Sequence, residues 1–417
     1  MRILHIVGMA HGGAGQHILS LTRGCDPRRI QSTVAMADTS PMRPQFERAG
    51  IRVLPLALDH YGGLKRNIAA FWQLARILRR EPFDVIQTHT SVAGALGRVA
   101  ARMFTRTPVV HMLHAFAMHR YRPGMSRRAA LLAERRLDRW TDWYIAGSLA
   151  MVHRGLSQRI FTADKVVLIS NGVELTQFPG DAGSESTPSE VTLPGRRQAQ
   201  VTVGFLGRLE EEKGGADLIR AAAIVRQQNQ HVRFRIAGDG TLRPQLERLA
   251  ARLQLADTIE FVGWNRDSVG FLKQIDILAM PSLWEAFGLS AAEAMALGKP
   301  VIASRIGGLP EVVEEGRTGI LVPPADPAAL ARAIVELAAD PARRRALGMY
   351  GRARVEQFFT LDRMVSRHEE FYASLLGGGT SLLGDGASLL GGGTVAPWTG
   401  APLLDRPALP ERAGRAA

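Results

Sequence analysis

At 417 residues and 46% apolar side chains, the chain is long enough for two or three domains and can fill two cores. Its net charge of +13 is uneven: residues 1–175 carry 25 Lys and Arg against 11 Asp and Glu, and the remainder carries 27 against 28. A lone Cys25 excludes an internal disulfide framework and fits a reducing compartment, and no run of about 18 apolar residues provides a spanning helix.

In chain order, the opening apolar run Ile3 to Val7 has too few apolar residues before His11 to be a signal peptide and reads as a first strand. It leads into His11-Gly12-Gly13-Ala14-Gly15-Gln16-His17, a Gly-rich turn that lets backbone approach a phosphate or acceptor ahead of a helix from Ile18 to Leu21. Gly13 and Gly15 also match the first two glycines of a dinucleotide fingerprint, with Asp38 near the place of its ribose carboxylate, but Ile18 replaces the third glycine. A nicotinamide enzyme therefore competes on this segment alone.

Further strands are predicted at Thr33 to Met36, Val53 to Leu56, Val85 to Thr88, Val109 to Met112, Trp143 to Ala146 and Val166 to Ile169. Two stretches between them concentrate the basic charge. Leu64 to Arg80 sets Lys65, Arg66, Arg76, Arg79 and Arg80 around Ile68, Phe71, Trp72, Leu74, Ile77 and Leu78, and Met118 to Arg139 holds seven Arg, with Phe116 and Tyr121 close by. Such segments suit an anionic membrane surface; the alternative is a core-facing helix with a solvated basic face. No nucleic-acid motif accompanies the charge, so no nucleic-acid partner is expected. Two histidines close the β-rich runs here, His89 and His114, whereas His111 falls inside one and reads as structural.

After Asn171-Gly172-Val173 the polar, Gly-, Ser- and Pro-bearing segment Gly180 to Arg197 reads as a linker. A second set of strands follows at Val201 to Leu206, Val232 to Ala237, Ile259 to Val262, Ile275 to Met280, Val301 to Ala303 and Gly319 to Val322. Strands alternating with helices imply two parallel sheets, with a ligand site outside their carboxyl ends. Arg208 and Lys213 lie just after the first strand of this set, and Gly238-Asp239-Gly240 and Phe261-Val262-Gly263 form turns after the next two.

The segment after Met280 is the most informative. Pro281 and Ser282 end the strand, Gly288 opens an Ala-rich helix, and Gly298 and Pro300 close it. Glu285 then sits in the loop and Glu293 more than one turn inside the helix, with the helix N-terminus and its unpaired amides between them. A ligand with hydroxyls, a diphosphate and further hydroxyls fits this order, and nucleotide sugars have it. Leu361 to Leu376 reads as a last helix; beyond it three Ser-Leu-Leu-Gly copies at a period of seven, two ending in Gly triplets, read as a low-complexity tail.

Glu285 and Glu293, with Phe287-Gly288-Leu289 between them, resemble the E-x7-E signature of the retaining GT-B glycosyltransferases of family 4. The resemblance runs on through Gly298-Lys299-Pro300, Gly307-Gly308-Leu309-Pro310-Glu311 and Gly316-Arg317-Thr318-Gly319, and includes Gly207-Arg208-Leu209 with Lys213-Gly214. It implies an α/β GT-B fold, two Rossmann-like doubly wound parallel-sheet domains facing a central cleft. The expected division is 1–175 for an acceptor-binding domain, 176–198 for a linker, 199–360 for a nucleotide-sugar-binding domain, 361–376 for a helix crossing back and 377–417 for the tail.

The resemblance also implies roles. Glu285 would contact donor-sugar hydroxyls and Glu293 the ribose; Arg208 and Lys213 would neutralise the diphosphate; His114 would face the donor sugar. Gly12, Gly13, Phe287, Gly288 and Leu289 would lie along the donor, and Gly240 and Val262 at its base. Where family members often carry an acidic-basic pair, Gln16-His17 stands instead, so acceptor contacts do not transfer.

The implied reaction is metal-independent transfer of a hexosyl group from a nucleoside diphosphate sugar, with no other cofactor and with front-face retention. The basic first half adds an expectation of a lipid-linked acceptor or an anionic membrane surface, on a cytoplasmic protein peripheral to the inner face of the membrane, in polysaccharide or glycolipid synthesis. The competing readings are a GT-B-like nucleotide-sugar epimerase and a non-catalytic nucleotide-binding module.

Overall fold

The computed structural model describes residues 1–10, 12–59, 63–116, 124–178, 200–265 and 267–377. Its apolar runs pair in parallel, as near-continuous Val, Ile and Leu segments do when both faces are covered by helices. The first sheet contains β1 (Arg2–Val7), β2 (Gln31–Ala37), β3 (Arg52–Leu56), β4 (Val85–His89), β5 (Val109–Leu113), β6 (Trp143–Ala146) and β7 (Val166–Leu168), in the spatial order β3-β2-β1-β4-β5-β6-β7. The second contains β8 (Val201–Leu206), β9 (Val232–Ala237), β10 (Ile259–Gly263), β11 (Ile277–Met280), β12 (Val301–Ser304) and β13 (Gly319–Val322), ordered β10-β9-β8-β11-β12-β13. In each sheet the order reverses beside the first strand, at β1/β4 and at β8/β11. That is where a doubly wound sheet opens a crevice at its carboxyl edge.

The chain passes between the sheets twice, and the two passages are tied together. Val173 donates its N–H to Phe359 O at 2.8 Å, and Leu361 donates to Val173 O at 2.9 Å. A Cβ on Gly172 would fall 2.5 Å from Thr360 O, so the close approach of the two backbones requires glycine here. Beyond the second passage the helix Leu361–Leu376 returns to the first sheet, and Met364, Phe371 and Tyr372 join Ile3, Leu21, Val85 and Val110 in one core.

Three expectations need correction. The helix after β1 spans Gly12–Gly24 rather than starting at Ile18, so the glycines form its first turn. A Cβ on Gly15 would lie 2.3 Å from Met42 Sδ, and this close packing outweighs the low helix propensity of glycine. The strand expected from Ile275 begins at Ile277, because Asp276 turns its carboxylate onto Thr202 N–H at 2.7 Å. Phe116, grouped above with the basic surface, is buried against Leu113 and Tyr144. Tyr121, residues 179–198 of the expected linker 176–198 and residues 378–417 of the expected tail 377–417 lie outside the described residues.

The basic helix Leu64–Arg80 faces the core on one side, as the second of its two readings expected, and leaves apolar side chains exposed on another. It buries Ala70, Leu74, Ala75 and Leu78 against the sheet, yet leaves Leu64, Ile68 and Trp72 at 72%, 50% and 57% exposure. Spaced four apart, these three form one stripe that continues into Arg76 and Arg80. Among the described residues no helix is long and apolar enough to cross a membrane.

Candidate functional site

The residues singled out in the sequence lie on loops after the carboxyl ends of β5, β8, β9 and β11, or in the helices following β1 and β11, with Val262 inside β10. Glu285 belongs to the loop after β11, and two contacts fix that loop. Leu283 N–H donates to Glu212 O at 2.8 Å, and Gly308 N–H donates to Glu285 O at 3.0 Å. Gly307 has φ +56°, and a Cβ there would sit 1.9 Å from Glu285 O, so only glycine lets the 307–308 backbone clasp the loop.

Lys213, at the end of a short turn after β8, donates from Nζ to the Glu285 carboxylate at 2.5 Å, with side chains only 20% and 13% exposed. Arg208 points elsewhere, pairing with Glu212 at 2.7 Å in a more exposed setting. The two cations named from the sequence therefore hold different carboxylates, and only Lys213 meets Glu285.

Gly288, at φ +102°, caps the helix Leu289–Ala296, and no side chain caps its first turn. Its leading amides are thus unfilled by the protein, a standard setting for an anion. Phe287 turns inward, buried and edge-on to Phe359 at 5.4 Å, so it offers backbone alone to any ligand. Glu293 is half-buried, and its carboxylate makes no hydrogen bond or ion pair among the described residues. Burial pushes its pKa up to about 7. A partly desolvated carboxylate without a partner is costly, and ligand hydroxyls would relieve that cost.

Gly240 packs on the loop after β8, where a Cβ would lie 2.5 Å from Leu209 O, and Val262 is half-buried in β10. At Gly12 and Gly13 an added Cβ would meet nothing within 4 Å, leaving open space above the first helix. His114 follows β5, half-buried, its Nε2 3.0 Å from His89 Nδ1, and burial pulls its pKa down to about 4. Its neighbours Leu113 and Phe116 share an apolar cluster with Trp284 and Ala286, which flank Glu285. The two halves of the site therefore meet at that cluster. Among the described residues no group of His, Cys, Asp or Glu is placed to hold a metal ion.

Contacts between the halves were not assigned from the sequence. Ser148 donates from Oγ to Ala286 O at 2.5 Å and accepts from Met151 N–H at 3.3 Å. Glu311 crosses from the second domain to accept the N–H groups of Leu149 at 2.7 Å and Ala150 at 2.8 Å, at the start of the helix Leu149–Ser157. Burial raises the Glu311 pKa to about 7, against the pull of those two amides. Arg154 of the same helix lies over the Trp284 ring at 4.5 Å. Ser148 had a local signal, a Ser three residues before a helical N–H; Glu311 had only its place in the Gly307-Gly308 segment.

Comparison with known proteins adds relatives of both halves. The family model described as Glycosyl transferases group 1 matches residues 194–354, and that described as Glycosyltransferase Family 4 matches residues 11–177. A D-inositol 3-phosphate glycosyltransferase of Streptomyces bingchenggensis is 30% identical over 394 residues, covering 88% of this chain and 86% of that protein. Its counterpart in Streptomyces scabiei is 29% identical over 375 residues, covering 83% of each. Among solved structures, Anabaena HepE in complex with UDP and glucose is similar with a TM-score of 0.76 and 24% identity, over 90% of this chain and all of that one. Sucrose-phosphate synthase from Thermosynechococcus elongatus gives a TM-score of 0.77 at 23% identity, over 91% of this chain and 100% of the other.

Proposed function

This chain belongs to the group 1 glycosyltransferases, and from that membership we propose that it moves a hexosyl group from a nucleoside diphosphate sugar to an acceptor hydroxyl with retention of anomeric configuration. The observation that carries the reading is the sequence of groups along one loop and helix: Glu285 held by Lys213, the uncapped amides at Gly288 and Leu289, then the unpartnered Glu293. Sugar hydroxyls, diphosphate and ribose hydroxyls match these in order. Solved structures of HepE, similar in fold, hold UDP and UDP-glucose, which supports a donor of this class.

In the proposed cycle the donor sugar engages Glu285 and His114, and its hydroxyls loosen the Lys213–Glu285 pair. Lys213 then faces the diphosphate, joined by Arg208 after exchange from Glu212. Both cations offset charge as it grows on the leaving oxygen, where preorganised donors are most effective. No carboxylate stands out as a nucleophile, so the departing phosphate oxygen takes the acceptor proton while the cleft positions the partners. NMR of the product tests the stereochemistry: an α-linked donor is expected to give an α-linked product, and a β-linked product overturns the mechanism.

The acceptor is proposed to be lipid-linked or presented at an anionic membrane, on the cytoplasmic side. Leu64, Ile68 and Trp72 supply an exposed apolar stripe beside Lys65, Arg66, Arg76, Arg79 and Arg80. Apolar groups enter the interface while each nearby cation adds about 1 kcal/mol of attraction to anionic lipid. The protein is expected to sediment with anionic vesicles at low salt, and Trp72→Ala or Arg76→Gln with Arg79→Gln to weaken that partition. If it stays in the supernatant, a soluble acceptor, such as the inositol phosphate named for its relatives, takes the place of the lipid.

A further inference from the structure

Two neighbouring strands of the first sheet and the residue just after a third contribute histidines to one ladder. Parallel register sets His5 of β1 opposite Gln87 of β4, and His89, at the end of β4, opposite Met112 of β5. Because side chains repeat every two residues, His5, His89 and His114 all fall on one face, each two residues nearer the carboxyl edge than the last. The rings meet as this predicts. His5 Nδ1 lies 3.2 Å from His89 Nε2, and His89 Nδ1 lies 3.0 Å from His114 Nε2, with successive ring centroids 5.5 and 5.2 Å apart. His5 and His89 are buried, at 1% and 0% exposure, leaving His114 as the member nearest the cleft.

Burial lowers the pKa of all three, to about 3 for His5 and about 4 for His114 and well below the ordinary value for His89, so each ring is neutral at pH 7. A neutral imidazole has one N–H and one acceptor nitrogen. With one proton per ring and one per N···N contact, the tautomers are interdependent. If protons lie on Nδ1 of His5 and His89, His114 must carry its own on Nδ1; if they run the other way, His114 Nδ1 is an acceptor.

The geometry points to His89 and His5 as positioning residues that fix the tautomer and ring plane of His114, and hence whether it gives or takes a hydrogen bond at the donor sugar. This rests on the donor-facing role of His114 proposed above. His5 would thereby act through two rings on a ligand it never touches. Neither the depth of His5 nor its strand position requires a histidine for packing, since an apolar β-branched residue suits a buried central strand.

The test pairs nitrogen-15 NMR of labelled histidines in the full-length protein with donor kinetics. His5→Val keeps a strand-compatible apolar residue, His89→Asn keeps a polar partner near the Nδ1 position, and His89→Phe removes it. His5→Val and His89→Phe are expected to change the ring-nitrogen shifts of His114 without ligand. They should also raise donor KM by about tenfold with kcat nearly unchanged, as loss of an interaction common to ground and transition states does. His89→Asn should recover most of the KM. If His5→Val and His89→Phe both leave the His114 nitrogens as they are in the native protein, the relay is wrong. If the nitrogens respond but donor KM does not, the relay stands and the donor-facing role of His114 falls.

Discussion

Lys213→Ala is expected to lower turnover by about 10²- to 10³-fold, the usual consequence of removing a donor to developing charge. Lys213 holds Glu285 at 2.5 Å in a largely sheltered setting, so it is already in the cleft before donor arrives and needs only to turn from that carboxylate to the diphosphate. Glu285→Gln is expected to be nearly as damaging, because it removes both the sugar contact and the counter-charge that holds the lysine. Neither side chain packs in a core, so melting temperatures should change much less than rates. Initial rates with the best donor from a nucleotide-sugar screen decide this: wild-type turnover in both purified variants would remove these residues from the mechanism.

A second large effect concerns pH. Burial holds the Glu293 pKa near 7 in the free protein, and ribose hydroxyls donate best to the ionised carboxylate. Donor binding must then displace a proton below pH 7, and affinity is expected to fall by about tenfold per pH unit there while levelling off above pH 8. Because the folded pKa exceeds the unfolded one, the ionised carboxylate opposes folding, and its cost grows as pH rises from about 4.5 to about 7. Glu293→Gln should therefore be at least as stable as the native protein at pH 8, yet bind donor weakly and with a flattened pH profile. Calorimetric titration between pH 6 and 8 reads this directly; an unchanged slope in the variant assigns the proton to another group.

Much of this architecture was legible in the sequence because it rests on local signals. Apolar runs marked every described strand within two residues, and Pro281, Gly288 and Gly298 framed the loop and helix that carry Glu285 and Glu293. What stayed hidden depends on contacts between distant segments. The start of the first helix was missed because Met42 packing, not propensity, decides it. Arg208 looked equivalent to Lys213, and only the fold gives it Glu212 instead of Glu285. The His5–His89–His114 ladder needs the register of three strands, and Glu311 reaches residues about 160 positions away; neither leaves a local pattern.

The helix Leu361–Leu376 has a consequence for how the protein is made. It completes the core built around Ile3, Leu21, Val85 and Val110, but it is translated after the entire second sheet. At typical synthesis rates of 5–20 residues per second, the first sheet waits roughly 10–40 s after its last strand emerges before this helix can dock. Throughout that interval its apolar face is covered only in part, by Leu21 and Cys25, whereas the second domain has all its strands and can close at once. Order of synthesis and order of completion are therefore reversed: the domain that leaves the ribosome first finishes last, when Phe371 and Tyr372 close its core.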